Sequence, residues 1–170
     1  MPVYVALLRA VNVGGTGKLP MAKLVELCRD AGFERPRTHI ASGNAIFASE
    51  GGEAQARAAL EERLAAYAGQ TVGVAVRTGA EMAEVAARNP FADELAARVL
   101  ALFAPETLPE DPLAGVAGLA DEQIRIGARE LYIHYPSGQG RSRLRLPAMR
   151  MATARNLNTV AMLAALARTF

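Results

Sequence analysis

Residues 37–48 read Arg-Thr-His-Ile-Ala-Ser-Gly-Asn-Ala-Ile-Phe-Ala. Two short strand-forming runs, 37–41 and 45–48, flank Ser42-Gly43-Asn44. Gly and Asn tolerate positive φ, so the triplet predicts a hairpin turn. On the N-terminal side, Met21, Leu24, Val25 and Cys28 recur at helical spacing. Pro20 suits the first position of that helix and Gly32 its stop. Earlier still, residues 3–11 are apolar and β-branched enough for a buried strand. On the C-terminal side, Gly51-Gly52 breaks the chain. A second helix follows, with Ala56, Leu60, Leu64 and Tyr67 on one face, and residues 72–76 form another strand. The order β-α-β-β-α-β is the ferredoxin-like arrangement. It forms an antiparallel sheet with both helices on one face.

The rest of the chain reads differently. Thr78-Gly79-Ala80-Glu81 is a capping box, opening a short helix that ends before Asn89-Pro90. Residues 99–103 form a strand, and residues 105–118, with three prolines and two glycines, form a loop. Residues 123–127 and 131–135 predict a second hairpin, and residues 136–140 a flexible connection. Two helices close the chain, the second with Thr153 as its N-cap. The expected fold class is α+β, a ferredoxin-like βαββαβ N-terminal half with a second, smaller α+β half. Residues 1–78 form the ferredoxin-like subdomain. Residues 79–170 form the second, with a basic helical C-terminus, and the two stand apart or fold as a single unit.

Composition bounds the function classes. The chain has 170 residues, 51% hydrophobic and 21% charged, as in a soluble fold. One cysteine excludes an internal disulfide, and two distant histidines argue against a zinc site. Neither a metal nor a cofactor is expected. The start, Met1-Pro2-Val3-Tyr4-Val5, has no basic n-region, and the apolar run 160–167 is too short for a bilayer. A cytoplasmic protein without a membrane partner is the expectation, its oligomeric state open. The net charge of +2 hides an asymmetry. Residues 131–170 carry six arginines and no acid, while all seventeen acids precede them among thirteen Lys and Arg. That pattern predicts an anion-facing surface.

Two segments could supply it. Gly14-Gly15-Thr16-Gly17-Lys18 resembles a phosphate loop, but Asn12 stands where the first P-loop glycine belongs and Leu19 where the magnesium hydroxyl belongs. The Rossmann pattern fails at Pro20. What survives is a glycine run before a poorly capped helix, where an anion could meet free amides and Lys18. In the tail, Arg141, Arg143 and Arg145 alternate, so an extended segment would point them one way. Arg155, Asn158 and Thr159 would share a helix face and could hold an anion. Alternatively, Arg155 is a buried clasp between the halves. Cys28 reads as a core residue. His134 and Tyr132 share one strand face and could line a pocket, although a structural role is the simpler reading.

These motifs together resemble the DUF1697 family of bacterial proteins over essentially the full length. They are Arg9-Ala10-Val11-Asn12-Val13-Gly14-Gly15, Lys18-Leu19-Pro20-Met21, Ser42-Gly43-Asn44, Asn89-Pro90-Phe91, Gly140-Arg141-Ser142 and Thr153-Ala154-Arg155-Asn156-Leu157-Asn158-Thr159. The resemblance implies an α+β fold and no activity. The motif positions carry over as site candidates Arg9, Asn12, Gly14, Gly15, Ser42, Asn44, Arg155, Asn156, Asn158 and Thr159. Lys18 and Arg141 join them on charge. Ala10 stands where the family motif has glycine, and Leu157 where it often has tryptophan. Three function classes follow. The first is a binding protein for a phosphate-bearing ligand, either an anionic small molecule such as a nucleotide or a nucleic acid. The second is an enzyme polarising a small anionic substrate with Asn12, Ser42, Asn44 and Arg155, although spacing shows no nucleophile–base pair. The third is a structural or interaction protein with a polar clasp between its subdomains.

Overall fold

The computed structural model describes residues 1–12 and 18–170. The first half runs β1 (Val3–Leu8), α1 (Met21–Asp30), β2 (Glu34–Thr38), β3 (Asn44–Ala48), α2 (Glu53–Ala68) and β4 (Val74–Thr78). The second runs α3 (Gly79–Ala87), β5 (Val99–Phe103), β6 (Gln123–Ile126), β7 (Glu130–His134), β8 (Thr153–Asn156) and α4 (Leu157–Arg168). The fold is α+β, with two antiparallel four-stranded sheets. Among the described residues no helix is long and apolar enough to cross a membrane.

β1 explains the layering. Successive side chains of a strand point to opposite faces. Tyr4, Ala6 and Leu8 pack with Leu24 of α1 and Leu60 of α2. Val5 and Leu7 join a second core with Met82 of α3, Leu163 of α4, and Val99 and Ala101 of the second sheet. Helices α3 and α4 therefore lie between the sheets. Both faces of β1 are covered, so its sequence is continuously apolar rather than alternating. The outer face of the second sheet, at Leu100 and Ile133, is covered by Leu144 and Leu146.

The two sheets repeat one layout. Their strand orders are β2-β3-β1-β4 and β6-β7-β5-β8. A helix follows the last strand in each, capped by that strand's final residue. The Thr78 side chain accepts from the Glu81 amide at 3.1 Å within the expected capping box, and the Asn156 side chain accepts from the Thr159 amide at 3.0 Å. Such caps satisfy amides that the helix itself leaves unpaired. The second half has no helix in its β5–β6 and β7–β8 connections, only loops and single turns such as Gln139–Arg141 and Pro147–Met149.

The residue just before each cap is a buried arginine reaching into the opposite half. Arg155 of β8 donates from Nη2 to the carbonyls of Leu8 at 2.8 Å, Ser42 at 3.0 Å and Gly43 at 3.1 Å. Its Nε donates to Asn44 Oδ1 at 2.6 Å and its Nη1 to the Ala154 carbonyl at 2.8 Å. Arg77 of β4 donates from Nη2 to the carbonyls of Ala104 at 2.6 Å and Arg129 at 3.3 Å, and from Nη1 to its neighbour Val76 at 2.9 Å. The targets correspond. Leu8 closes β1 and Ala104 follows β5; Gly43 precedes β3 and Arg129 precedes β7. In each half the two targets also bond each other, Leu8 N to Gly43 O at 2.9 Å and Ala104 N to Arg129 O at 3.1 Å. Burial pushes both guanidinium groups down to about 10, for Arg77 with added repulsion from Arg129. Both stay charged at neutral pH.

Several sequence expectations need correction. Residues 153–156 form a strand paired with β5, so Asn156 rather than Thr153 caps the last helix. The helix expected before it is a pair of single turns. Pro20 is the N-cap of α1 rather than its first residue. β2 occupies 34–38, so the hairpin loop is longer than Ser42-Gly43-Asn44. Tyr67 is 44% exposed, off the buried face made by Ala56, Leu60 and Leu64. Tyr132 is buried and donates to the Val85 carbonyl at 2.8 Å, while His134 packs against Phe91.

Arg155→Met keeps the stem but takes the donor from the buried Asn44 Oδ1 and removes the bonds to the Leu8 and Ser42 carbonyls. It should cost about 2–4 kcal/mol, a fall of roughly 6–12 °C in thermal unfolding. Arg77→Met should behave alike, and an unchanged melting temperature for both would remove the clasp from the account of stability. Gly43 has φ +91, and an added Cβ would lie 2.5 Å from Val11 Cγ2 and 2.9 Å from Leu8 Cβ. Gly32 has φ +84 with nothing within 4 Å. Gly43→Ala should therefore lower the melting temperature clearly more than Gly32→Ala, which carries only the left-handed strain of about 1 kcal/mol.

Candidate functional site

β1 ends at Leu8, and Arg9 begins the wall of a cleft of about 530 Å³. Ala10, Val11, Lys18 and Leu19 continue that wall. The facing wall comes from the end of α2 (Leu64, Tyr67, Ala68) and the segment 70–73 that leads into β4. The Arg9 amide donates to the Gly73 carbonyl at 2.9 Å, which joins the two walls at their base. Asn12 fixes Leu19: its Nδ2 donates to the Leu19 carbonyl at 2.7 Å and its Oδ1 accepts from the Leu19 amide at 2.7 Å. The same Nδ2 donates to the Ala41 carbonyl at 2.8 Å. Ala10 and Asn12 both have φ 54, the left-handed conformation that turns the chain sharply after the strand.

The cleft is apolar below and cationic at its mouth. Leu19 and Leu64 are buried; Arg9 and Lys18 are exposed. Among the described residues neither cationic side chain meets an acceptor. Gln70 and Thr71 add neutral polar groups, and Tyr67 adds a ring with Lys23 Nζ 5.4 Å from its centroid. A volume between about 300 and 1,000 Å³ is the usual size for a small-molecule site.

The repeated layout supplies a comparison within the molecule. A second cleft of about 240 Å³ follows β5 at Ala104 and Pro105 and is bounded by Ala152, just before β8. It occupies the place in the second half that the larger cleft occupies in the first. There Arg57 Nη2, reaching in from α2 of the first half, pairs with Glu106 Oε1 at 2.6 Å, so this cation already has a carboxylate. The larger cleft has no such carboxylate among its lining residues.

The candidates from sequence separate into groups. Arg9 and Lys18 line the cleft, and Asn12 braces it. Gly14 and Gly15 lie outside the described residues. Ser42, Asn44 and Arg155 form one cluster, the clasp. In it the buried Asn44 donates from Nδ2 to the His39 carbonyl at 2.9 Å and to Ser42 Oγ at 3.0 Å. Asn156 is a helix cap, Asn158 is exposed and Thr159 half-buried. Arg155, Asn158 and Thr159 do not share a helix face, because Arg155 belongs to β8 and points between the sheets. Arg141 is exposed, beyond the second sheet. The α1 start lacks a side-chain cap as expected, but its amides do not line the cleft. Sequence reasoning missed Tyr67, Gln70 and Thr71. The signal for them was the polar break between α2 and β4, where chain returns beside the end of β1. Cys28 is buried on α1, and burial pushes its thiol up to about 12. It packs as a hydrophobe.

Comparison with known proteins follows the fold. A conserved bacterial protein, SP0830 from Streptococcus pneumoniae, is similar with a TM-score of 0.80 over 98% of each chain, at 25% sequence identity. A search of curated proteins gives no match. Residues 1–132 match the model of DUF1697, a family of proteins of unknown function, and the chain belongs to that family.

Proposed function

We propose that the cleft beside Arg9 and Lys18 binds a small phosphate-bearing ligand, with the two cations at the phosphate and the apolar floor under the remainder. The observation that carries this reading is the difference between the two clefts. At equivalent places in one layout, the arginine lining the second cleft, Arg57 of α2, is neutralised by Glu106 across the two halves, whereas Arg9 and Lys18 lining the first meet no acceptor among the described residues. Arg offers a planar fork to phosphate and Lys a point charge. Tyr67 and Gln70 could meet a ring and its polar edge. The chain is held in place at Arg9 and Leu19 before any ligand arrives, which reduces the ordering cost of binding.

A second reading concerns a different part of the family's motif. The hydrogen bonds of Asn44 and Arg155 favour a structural role for these residues as the clasp between the halves. The same bonds weigh against the enzyme alternative, since Asn12, Asn44 and Arg155 spend their polar atoms on the protein itself.

A thermal-shift series with nucleotides, sugar phosphates and inorganic phosphate tests the proposal, because a ligand of the folded form raises its melting temperature. At a hundredfold excess over Kd the gain is about 2.7 kcal/mol. The shift should shrink with added salt and disappear in Arg9→Ala/Lys18→Ala, whose own unliganded stability should change by no more than about 0.5 kcal/mol. If all the phosphates leave the melting temperature unmoved at low salt, the reading fails.

A further inference from the structure

The segment after β7 carries a row of arginines that neither the cleft nor the clasp uses. From 141 to 146 the chain alternates in exposure. Arg141, Arg143 and Arg145 are exposed, while Ser142, Leu144 and Leu146 are partly buried. Leu144 and Leu146 pack on the outer face of the second sheet, against Leu100 and Ile133. The arginines therefore point to solvent.

This row is fixed by its own backbone. Arg145 and Ala117 exchange two hydrogen bonds, at 2.8 and 3.1 Å. Gly118 has φ +72, and a Cβ there would fall 2.0 Å from the Arg143 carbonyl, so the two segments lie in contact. Ser142 Oγ donates to Glu122 Oε2 at 2.6 Å, and that bond with the Ala120 amide lowers the Glu122 carboxyl below its ordinary range. None of Arg141, Arg143 and Arg145 is in an ion pair with another described residue. Arg141 ends the single turn Gln139–Arg141 and Ser142 after it is extended; arginines two residues apart on extended chain stand about 7 Å apart. That is close to the separation of neighbouring phosphates along an extended polynucleotide.

We infer that this row is a contact surface for a single-stranded nucleic acid, a site separate from the Arg9–Lys18 cleft. Three features select that partner. The row is one arginine wide, and the exposed Asp121 adjoins the buried Glu122 that holds Ser142; a flat anionic bilayer would press on the Asp121 carboxylate as well, whereas a thin strand can follow the arginines alone. Leu119 at 56% and Val116 at 40% are exposed on the segment bridged to Arg145. They offer apolar surface to unstacked bases, which a duplex keeps buried. Guanidinium planes can also stack on bases, so the scarcity of exposed aromatics is no obstacle.

Fluorescence anisotropy with a labelled twelve-nucleotide oligothymidine tests the inference. Three phosphate contacts on a single strand predict a log–log salt slope of about −2. Arg143→Glu should weaken binding at least tenfold at low salt, and the triple Arg141→Ala/Arg143→Ala/Arg145→Ala should abolish it. Circular dichroism should show both variants folded, since the substituted side chains are exposed; a variant that unfolds is replaced by single Arg→Gln changes, each expected to flatten the slope. Arg9→Ala/Lys18→Ala should bind the strand like the parent protein, which separates this site from the cleft. The inference fails if the parent binds no strand at low salt or if the triple variant binds like the parent. It also fails if a duplex of equal length binds better, or if vesicles of phosphatidylserine and phosphatidylcholine are bound while the strand is not.

Discussion

The architecture depends on two guanidinium groups buried without a carboxylate partner. Taking a charge out of water costs several kcal/mol, so each arginine has to recover that cost in hydrogen bonds. Arg77 and Arg155 do so on carbonyl oxygens at the ends of strands, where the sheets already fix the acceptors. Among the described residues no buried side-chain nitrogen or oxygen is left unpaired. The apolar layer of α3 and α4 between the sheets gives adhesion without direction, because burial of area is indifferent to small slips. The arginines add direction. Arg155 meets Leu8, Ser42 and Gly43 together only when β8 stands at one position against the end of β1. A lysine, whose three donors sit on one atom, could not bond Asn44 Oδ1 and the Ala154 carbonyl as well, which Arg155 reaches from Nε and Nη1.

The clasps are reciprocal because the halves repeat a layout, and the differences within that repeat sort the charges. Asn44 opens β3, and Glu130 opens β7 at the corresponding place. The amide gives Arg155 Nε a neutral acceptor. The buried carboxylate instead accepts from the Arg129 amide at 2.7 Å. Arg129 in turn pairs with Glu53 at the start of α2 and with Glu81 of the capping box at 3.1 Å. The corner around Arg129, where the two halves meet, is thus wrapped in compensated charge, while Arg9 and Lys18 meet no carboxylate among the described residues. The contrast between two clefts of one design is more informative than the presence of basic residues, which any surface contains.

The first half was legible because its elements have strong local signals. β1 is apolar throughout, the helices show periodic apolar faces, and the Thr78 box marks its helix outright. The tail was misread because Thr153-Ala154-Arg155-Asn156 has no strand pattern. Its pairing with β5 is set by tertiary context, which overrides weak propensity. Once the segment is drawn as a helix, Arg155, Asn158 and Thr159 fall on one face and suggest a ligand site. Placed on a strand, Arg155 turns inward and Asn156 becomes the cap. The asymmetry of charge in the sequence was real but mixed two roles, since Arg155 is buried while Arg141, Arg143 and Arg145 are exposed. Arg77 gave one overlooked signal, a charge closing the apolar run Val74-Ala75-Val76 immediately before a cap. Leu157, at the family's tryptophan position, is buried in the central core. Its identity is a matter of packing rather than of stacking on a ligand.

The fold and the proposed binding site meet at two adjacent residues. The Leu8 amide bonds Gly43 and the Leu8 carbonyl accepts from Arg155, so the last residue of β1 is held from the neighbouring strand and from the other half. The next amide, that of Arg9, bonds Gly73 on the opposite side. The backbone that presents the Arg9 side chain is therefore anchored at consecutive positions by three different segments. A cation presented from such a backbone has only its own rotamers left to order when an anion arrives. The left-handed turn at Ala10 follows at once, carrying the chain away from the sheet and opening the space that becomes the cleft. For the proposed site the clasp matters without touching a ligand, because it holds the residue before Arg9.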